Sequence, residues 1–544
     1  MKRRDDVGRA LRRRSRLARA ATAALAVIAM GLASGASHHA RAQSGAGRVT
    51  GPDMREAVWY EIFVRSFQDS DGDGVGDLEG VRSRLPYLAE LGVGGIWLMP
   101  IHPSPSYHGY DVTDYRAVNP DYGDLDDLRS LLTDAHALGM RVILDFVPNH
   151  TSAMHTWFQA ALAGDQRFRD YYVWAEDPPD WRGTGGGSAW HAANGVSYLG
   201  LFSASMPDLN HANAEVRREL FDVARYWLEF GFDGFRVDAI QHIVEGEDGG
   251  IRNTPETYAW VAEFQTFVRE VAPDALVLGE TWTEMPAIVR YHEASGLDMS
   301  FDYPLWRTAL SAIQARSAAD LGYQIEQTLA QYPASAARGV FLSNHDQTRH
   351  ATQLSFPRRD ERRLKLAAAL LLTMPGTPFV YYGEEIGMPD GPGVFDVEKR
   401  TPMRWQAAAA DGTFGFSTAA PWTDPGDAIP GVSVAEQRGD PTSLWSTYQR
   451  LIALRGAHAA LRGGATEVLD VGERAVLALR RSAEDDEVVV LANLSGRELT
   501  VSLADLGWQA GREPWGAADA PVMVLDEVTL DGYGFRILVP ARTP

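Results

Sequence analysis

Cysteine is absent from the 544-residue sequence. This absence excludes disulfide bonds, catalytic thiolates and zinc sites with cysteine ligands. The chain also lacks internal repeats and long runs of like charge. Beyond its amino terminus it has no apolar stretch long enough to span a bilayer. We therefore expect a globular protein with no membrane partner.

Positive charge is scarce as well. Lys and Arg number 51 against 72 Asp and Glu, so the formal net charge is −21. Residues 1–42 hold ten basic and two acidic residues, and their removal would change the charge to −29. A chain this acidic is poorly suited to nucleic acid, whose phosphates attract the opposite sign. We expect no nucleic-acid partner, whereas a neutral polymer is compatible with this charge.

The amino terminus has the three-part layout of a secretory signal peptide. Residues 2–19 carry nine Lys or Arg, an apolar stretch follows over residues 20–32, and Ala-Arg-Ala at 40–42 offers a cleavage site. This layout predicts a signal peptide over residues 1–42 and a secreted or periplasmic protein. A short leader over residues 43–57 follows. Without disulfides, an exported chain must obtain its stability from a large core or from bound cations.

The length predicts two or three domains, because a single hydrophobic core stops growing at roughly 250–300 residues. Eight short apolar runs alternate with helix-like patterns, as the units of a parallel βαβ fold do. Eight such units close into an α/β fold, the (β/α)8 TIM barrel, which is the fold class that we predict. The eight runs are 58–64, 95–99, 141–147, 234–237, 275–278, 299–301, 340–342 and 378–381.

The spacing of the runs predicts two further domains. About 85 residues separate the third run from the fourth, far more than a crossover needs, which predicts an inserted subdomain over residues 151–207. After the last helical pattern, 444–461, three short alternating strands are typical of a small antiparallel domain. We therefore assign residues 58–150 and 208–461 to the barrel and residues 462–544 to a C-terminal antiparallel β-sandwich.

Polar residues cluster where four of the predicted strands end. In a barrel, the carboxyl ends of the strands form the face that carries function. A single Asp after a strand is usually a helix cap, but four such ends, each with an acid, indicate a catalytic site built on carboxylates. The motifs are Asp145-Phe-Val-Pro-Asn149-His150, Gly234-Phe-Arg236-Val-Asp238, Leu278-Gly-Glu280 and Ser343-Asn344-His345-Asp346.

These four motifs resemble those of the α-amylase family, family 13 of the glycoside hydrolases. Gly95-Ile-Trp-Leu-Met-Pro100 and Gly376-Thr-Pro-Phe-Val-Tyr-Tyr-Gly-Glu384 are similar to the family's second and eighth strands, so the resemblance covers roughly residues 58–460. It implies an enzyme that hydrolyses α-glucosidic bonds with retention of configuration. The implied substrate is an α-glucan such as starch or a maltodextrin, and we expect a monomer.

The resemblance also implies roles for individual residues. Asp238 matches the nucleophile, Glu280 the acid and base, and Asp346 the third acid, which binds sugar hydroxyls and favours the oxocarbenium-like state. Arg236, two residues before Asp238, points to the same face and would hold the nucleophile ionised. For Tyr110, His150 and His345 a satisfied core position is the alternative. The implied substrate-binding residues are Tyr110, His150, Arg236, His345 and Arg400.

A glycine-rich acidic turn early in the chain predicts a Ca2+ site. Carboxylates alternate along this turn, and hard cations prefer such oxygen ligands. A similar loop is common in the oligo-1,6-glucosidase branch of the family, and a solvated acidic turn is the alternative. The predicted ligands are Asp69, Asp71, Asp73, the carbonyl of Val75 and Asp77.

The resemblance implies a second Ca2+ site between the barrel and the inserted subdomain. Asn149, Asp208 and the carbonyl of His242 fall where many α-amylases bind calcium. We expect the remaining ligand to come from the inserted subdomain.

The surroundings of the acids favour one activity within the family. The segment 206–210, Met-Pro-Asp-Leu-Asn, resembles the signature of α-amylases intermediate between oligo-1,6-glucosidases and neopullulanases. Tyr107 stands where strict α-glucosidases carry an Asp that closes the pocket, so we expect an open cleft and an α-amylase acting on α-1,4 bonds.

Two residues keep an alternative open. Arg400 resembles an arginine of α-glucosidases, and Gln241 replaces the lysine of many α-amylases. The alternative is an exo-acting α-glucosidase or oligo-1,6-glucosidase, or a related transglycosylase. A non-catalytic relative is disfavoured, because Asp238, Glu280 and Asp346 are all present.

Overall fold

Strands and helices alternate along the chain in the computed structural model, which describes residues 53–246, 249–355, 359–407, 412–503, 511–512 and 527–540. The predicted signal peptide and most of the predicted leader lie outside the described residues. In chain order the strands are β1 (Trp59–Ile62), β2 (Gly95–Leu98), β3 (Arg141–Phe146), β4 (Trp174–Ala175), β5 (Trp190–Ala193), β6 (Val196–Leu199), β7 (Gly234–Val237), β8 (Leu276–Gly279), β9 (Met299–Phe301), β10 (Ala337–Phe341), β11 (Thr377–Tyr381), β12 (Ala465–Leu469), β13 (Val476–Ala483), β14 (Asp486–Asn493), β15 (Leu499–Ser502), β16 (Gly511–Arg512), β17 (Glu527–Leu530) and β18 (Phe535–Pro540).

Eight of these strands close into a parallel barrel, in the order β1-β2-β3-β7-β8-β9-β10-β11 and back to β1. Each overlaps one of the eight predicted runs, which confirms the predicted fold class. Every residue of β1, β2, β7 and β8 is buried. Such burial is expected of parallel strands that are covered by helices on one face and by packed side chains on the other.

Aromatic rings fill the interior of the barrel. Trp59 stacks on Phe379 with ring centroids 5.9 Å apart. Phe301 packs edge-on against Phe379 at 5.0 Å and against Phe341 at 5.4 Å. The interior is therefore a packed core, and the polar groups that carry function are confined to its ends.

Helices surround the barrel, and side-chain caps fix where they begin. Asp124, for example, accepts hydrogen bonds from the backbone N–H groups of Asp126 and Asp127. Among the described residues, no helix combines the length and the apolar character needed to cross a membrane. The longer helices are Leu85–Leu91, Leu125–Ala137, Thr156–Leu162, Ala214–Phe230, Pro255–Val271, Met285–Ser295, Tyr303–Ala315, Ala319–Gln331, Glu361–Thr373 and Leu444–Ala457. The shorter ones are Val64–Phe67, Leu78–Ser83, Gln166–Arg169, His350–Leu354, Val434–Gln437 and Ala459–Arg462.

The chain between β3 and β7 forms a small antiparallel sheet in the order β4-β6-β5. Ala189, Leu199 and Leu201 are buried at the centre of its own apolar cluster. A β-bridge between His150 and Asp208 joins the beginning and the end of this segment. The inserted segment is therefore anchored beside the polar motif that follows β3.

The C-terminal part forms two antiparallel sheets, one in the order β12-β13-β14-β18-β16 and one of β15 and β17. The structure differs from the sequence expectation just before these sheets, where 444–461 is not one continuous helix. His458 is extended, with φ −117° and ψ 112°, and its Nδ1 lies 2.8 Å from Asp486 Oδ1. Asp486 Oδ2 accepts the backbone N–H of Ala460 at 2.9 Å. A carboxylate from β14 thus starts a second, short helix.

A buried arginine joins the barrel to the C-terminal sheets. Arg481 donates from Nη1 to the Thr373 carbonyl at 2.6 Å, and from Nη2 to the carbonyls of Leu461 and Gly464 at 3.4 and 3.3 Å. Burial and the nearby charge of Arg455 lower the pKa of Arg481 to about 9. The guanidinium thus donates to the carbonyl groups of Thr373 and Leu461 in the last turns of two helices, which have no hydrogen-bond partner within their own helix.

We expect Arg481→Met to lower the free energy of unfolding by about 2–4 kcal/mol, since buried carbonyl groups lose their donor. Urea unfolding followed by tryptophan fluorescence measures the change. Arg480→Met is the matched control on the same strand, because Arg480 is partly exposed and pairs with the exposed Glu467. It should cost about 0.5 kcal/mol or less, and equal losses in the two variants would contradict the role of Arg481.

Candidate active site

The polar motifs meet in a cleft of about 700 Å³ at the carboxyl ends of the barrel strands. Asp238 follows β7, Glu280 follows β8 and Asp346 lies beyond β10, so each carboxylate is carried by a different strand. Arg236 and His345 do not line the cleft but lie beneath it, each with 1% of its surface exposed. The other predicted catalytic and substrate-binding residues line it: Asp238, Glu280, Asp346, Tyr110, His150 and Arg400.

One guanidinium holds the first two carboxylates together. Arg236 Nη1 contacts Asp238 Oδ1 at 2.7 Å, and Arg236 Nη2 contacts Glu280 Oε2 at 3.0 Å. Asp145 Oδ1 also binds Arg236 Nη1, at 2.8 Å. Because the terminal nitrogens belong to one planar group, Asp238 and Glu280 are kept side by side in a fixed relation.

The same two carboxyl groups have perturbed acidities. Burial raises the pKa of Asp238 and of Glu280 to about 7, although Arg236 opposes the rise in both. The charges of Asp238 and Asp346 raise the pKa of Glu280 further. Such close groups titrate as a pair. Since Asp238 makes the shorter contact with Arg236, we infer that the pair keeps its proton on Glu280.

Asp346 is an ionised acceptor at the wall of the cleft. Burial alone would raise its pKa, but His345 and Arg400 hold it well below the ordinary value. His345 Nε2 lies 2.9 Å from Asp346 Oδ2, and Arg400 Nη2 donates to Asp346 Oδ1 at 2.9 Å. Both neighbours are nearly fully buried, so the charge of Asp346 is compensated by fixed cations.

Glu61, on β1, is a buried partner that the sequence analysis missed. Its Oε1 lies 2.6 Å from His345 Nδ1. Burial would lower the pKa of His345, yet Asp346 and Glu61 raise it to about 9. The ring is therefore a cation at neutral pH, with both nitrogens as donors. The one signal for Glu61 in the sequence is an acid inside an otherwise apolar strand.

Tyr110 and His150 both line the cleft and have partners in the core. The Tyr110 ring stacks on His345, with centroids 5.5 Å apart and planes 17° apart, and its hydroxyl donates to Asp145 at 3.0 Å. His150 Nε2 lies 3.2 Å from the Tyr110 carbonyl, and its Nδ1 lies 3.0 Å from Asn149 Oδ1. Burial lowers the pKa of His150 to about 4, so the ring is neutral. Both rings are thus fixed in orientation at the cleft surface.

One end of the cleft is formed by Tyr107 and Arg400. The Tyr107 ring stacks on Trp422, with centroids 5.4 Å apart. The Arg400 guanidinium lies 5.7 Å from the centre of the Tyr107 ring, and its Nε donates to the His345 carbonyl at 3.0 Å. Arg400 is therefore held by protein groups, Asp346 among them.

The wall beside Glu280 contains Arg252, which the sequence analysis missed, and Trp282, which follows Glu280 in the motif after the fifth barrel strand. Arg252 donates to Gln241 Oε1 at 3.3 Å and to the Trp282 carbonyl. Trp282 is 38% exposed, and its ring stacks on Tyr303 with centroids 5.1 Å apart and planes 2° apart. An arginine thus lines the cleft beside Gln241, where the lysine of many α-amylases is missing. No motif marks the loop that carries Arg252.

The structure brings three of the predicted ligands of the first cation site close together. Carboxylate oxygens of Asp69, Asp71 and Asp77 lie within 4.8 Å of one another. Asp73 is not part of this group, and its Oδ1 accepts the backbone N–H of Val75 at 2.8 Å. Three converging carboxylates fit a hard cation such as Ca2+, whose positive charge offsets their repulsion.

The second predicted cation site has buried oxygens without hydrogen-bond partners. Asn149 Nδ2 donates to the His242 carbonyl at 2.7 Å, and Asp208 Oδ1 accepts the Leu201 N–H at 3.1 Å. Among the described residues, neither Asp208 Oδ2 nor Glu245 Oε1 has a partner, although both are buried. Burial and the charge of Glu245 raise the pKa of Asp208 well above its ordinary value. Glu245, from the loop after β7, is thus a further candidate ligand, and a ligand from the inserted segment stays a prediction. This oxygen-rich set also fits Ca2+.

Comparisons with known proteins agree with this geometry. Residues 61–464 match the family described as alpha amylase, catalytic domain, and residues 466–537 match the family described as maltogenic amylase, C-terminal domain. Alpha-amylase 3 of Dictyoglomus thermophilum is 36% identical over 457 residues, which cover 82% of this chain and 87% of that protein. Trehalose synthase of Thermus thermophilus is 35% identical over 490 residues, which cover 81% of this chain and 50% of that protein. The crystal structure of the α-amylase from H. orenii is 35% identical and superposes with a TM-score of 0.79 over 90% of this chain and 100% of that one.

Proposed function

Because this chain belongs to the α-amylase family and is a glycoside hydrolase, we propose that it is an α-amylase that cleaves α-1,4 bonds in starch and maltooligosaccharides with retention of configuration. The observation that carries this proposal is the Arg236 guanidinium, which binds Asp238 and Glu280 side by side at the cleft. Double displacement needs two carboxyl groups at close range, whereas inverting enzymes hold them farther apart to admit a water molecule.

In the first step, the Asp238 carboxylate attacks the anomeric carbon while the bond to the glycosidic oxygen breaks. Glu280 transfers its proton to that oxygen, so the leaving sugar departs with a neutral hydroxyl group. The remaining sugar is then joined to Asp238 as an ester of inverted configuration. The raised pKa of Glu280 supports its role as the acid.

In the second step, water attacks the anomeric carbon of the ester. Glu280, now a carboxylate, takes the proton of the water, and Asp238 leaves as a carboxylate. The second inversion restores the original configuration. Asp346, an ionised acceptor, would bind sugar hydroxyls most strongly when the ring carries positive charge in the transition state.

The choice of α-amylase rests on the end of the cleft. Tyr107 stands where an exo-acting enzyme needs an acid to close the pocket, which supports a cleft that accepts chain interiors. Arg400, which resembles an arginine of α-glucosidases, is bound to Asp346 and to the His345 carbonyl. The second candidate function, an exo-acting α-glucosidase or oligo-1,6-glucosidase or a transglycosylase, is favoured by this Arg400 and by the likeness to a trehalose synthase.

Product analysis on soluble starch and on maltose separates the two candidates. We expect a rapid loss of iodine colour and a mixture of oligosaccharides from starch, because an open cleft binds the polymer at internal bonds. Glucose or trehalose formed from maltose, with starch left untouched, would contradict the α-amylase proposal. Isomaltose and panose, tested in parallel, report cleavage of α-1,6 bonds.

We also propose that the chain binds Ca2+ at two sites. The first would use Asp69, Asp71 and Asp77, and the second would use Asp208 and Glu245 with the carbonyl of His242. A cation there would supply the positive charge that clustered carboxylates lack, and it would join the inserted segment to the barrel at the second site.

Removal of calcium should lower the midpoint of thermal unfolding by about 5 °C, because each of two sites occupied at 100 times its Kd stabilises the folded state by about 2.7 kcal/mol and a chain of this size unfolds with an entropy of about 1 kcal/mol/K. Scanning calorimetry with and without a chelator measures the shift, and plasma mass spectrometry counts the ions. Asp69→Asn and Asp208→Asn should each remove one ion. A chain that keeps the same midpoint and carries no metal would contradict the proposal.

The amino-terminal sequence supports export of the chain to the periplasm or medium. Amino-terminal sequencing of the exported protein should begin at Gln43. We further propose that the enzyme acts as a monomer, which light scattering of the purified protein tests directly.

A further inference from the structure

A second large cleft, of about 1230 Å³, lies between the barrel and the C-terminal sheets and shares no lining residue with the catalytic cleft. Its lining reverses the charge balance of the chain, which carries 51 basic and 72 acidic residues. The charged residues that line it are Arg316, Arg359, Arg362, Arg363, Arg497 and Asp360.

Asp360, the one acid among the described residues of the lining, is already engaged. Asp360 Oδ1 accepts the backbone N–H of Arg362 at 3.1 Å, which starts the helix Glu361–Thr373. The same carboxylate binds the Arg362 side chain, with Nε at 3.0 Å from Oδ1 and Nη2 at 2.7 Å from Oδ2. Asp360 therefore binds Arg362 most directly, and the described lining still holds five arginines against one acid.

Two of the other arginines are bound by neutral acceptors. Arg359 Nη1 donates to the Gly387 carbonyl at 2.8 Å, and Arg363 Nη1 donates to the Leu354 carbonyl at 2.6 Å. A carbonyl accepts the N–H group but carries no net charge, so these two bonds orient the guanidinium groups without adding negative charge to the cleft. Burial lowers the pKa of Arg359, and the charge of Glu361 opposes that shift.

The cations are also held in place by an aromatic ring. The guanidinium groups of Arg362 and Arg363 lie 5.9 and 5.6 Å from the centre of the Tyr533 ring, which comes from the C-terminal domain. The amino-terminal end of the helix Glu361–Thr373 adds partial positive charge to the same region. Arg316 and Arg497 are exposed, and among the described residues neither has a carboxylate within ion-pair distance.

We propose that this cleft binds a phosphate group, either as the free ion or as a phosphate ester of a sugar. A guanidinium group can donate two parallel hydrogen bonds to the oxygens of a phosphate, and a cleft lined by several of them attracts a multivalent anion. Because Arg316 belongs to the barrel and Arg497 to the C-terminal domain, the bound anion joins the two parts of the chain. Binding therefore raises the temperature of unfolding. This site is independent of the proposed hydrolytic activity.

Titration calorimetry with inorganic phosphate tests the proposal, at calcium concentrations too low to precipitate phosphate. We expect a Kd at or below about 1 mM and a rise in the unfolding temperature that NaCl of equal ionic strength does not produce. In the double variant Arg316→Gln/Arg497→Gln the affinity should fall at least about tenfold, because two flexible cations are lost.

The matched control is Arg218→Gln/Arg225→Gln, which removes the same charge from exposed positions on the helix Ala214–Phe230. It should bind phosphate as the unchanged protein does, and both double variants should hydrolyse starch normally. Glucose 6-phosphate distinguishes the two sources: tighter binding than inorganic phosphate assigns an ester, and equal or weaker binding assigns the free ion. An unfolding temperature that rises equally in NaCl, or an Arg316/Arg497 variant with unchanged affinity, would overturn the proposal.

Discussion

Asp238→Asn should reduce kcat on starch by at least about 10⁴-fold, which corresponds to about 5.4 kcal/mol of activation free energy. The amide cannot attack the anomeric carbon as a carboxylate does, so no glycosyl ester forms. Asn keeps the size of Asp and can still accept the hydrogen bond that Arg236 Nη1 gives to Asp238 Oδ1 at 2.7 Å. The fold should therefore survive the change.

The control for this variant is Asp134→Asn, which makes the same chemical change at a half-exposed carboxylate paired with Arg82. Its activity and unfolding temperature should equal those of the unchanged enzyme. A fluorinated glycosyl fluoride that forms the ester rapidly and releases it slowly should label the unchanged enzyme at Asp238, as peptide mass spectrometry can detect. Substantial turnover by Asp238→Asn, or a label on another residue, would mean that the nucleophile is a different group.

The barrel could be read from the sequence because its determinants are local. Each barrel strand is built on a short run of mostly buried apolar residues, and several end in a polar motif that marks the strand's carboxyl end. Asp238 and Glu280 follow β7 and β8 directly, so knowing the strand ends was enough to bring them to one face. The break at His458 could not be foreseen, because it depends on Asp486, a carboxylate that β14 brings to it from the C-terminal sheet.

The parts of the site that escaped prediction are pairs distant in the sequence. Glu61 forms a hydrogen bond with His345, which lies 284 positions later in the sequence, and nothing in the sequence near either residue indicates this contact. Glu245, from the loop after β7, raises the pKa of Asp208 through its charge, and no sequence motif indicated this pairing. Arg252 reaches the cleft through hydrogen bonds to Gln241 and Trp282. In each case the residue type is ordinary and only its position in three dimensions gives it a role.

Glu280→Gln should reduce turnover of starch by about 10²–10⁴-fold, the usual contribution of a general acid and base. The effect should depend on the leaving group, because fluoride departs without a proton whereas a sugar does not. With α-maltosyl fluoride, the first step should proceed and the glycosyl ester should accumulate, since Gln cannot activate water for the second step. Azide, which needs no base, should restore turnover and give α-maltosyl azide, the product of attack on the ester from the face opposite Asp238.

The pH profile gives a second, independent test of the same residue. Burial raises the pKa of Glu280 to about 7, so the unchanged enzyme should lose kcat/KM on starch as the pH rises through that value and the acid loses its proton. At lower pH, activity should fall as Asp238 takes up the second proton of the pair and can no longer attack. In Glu280→Gln, measured with α-maltosyl fluoride and azide, the decline on the alkaline side should disappear while the acidic side remains. The amide introduced by Glu280→Gln does not titrate in this range, so a decline that persists on the alkaline side would assign the acid to another residue. A variant that azide cannot rescue would lead to the same conclusion.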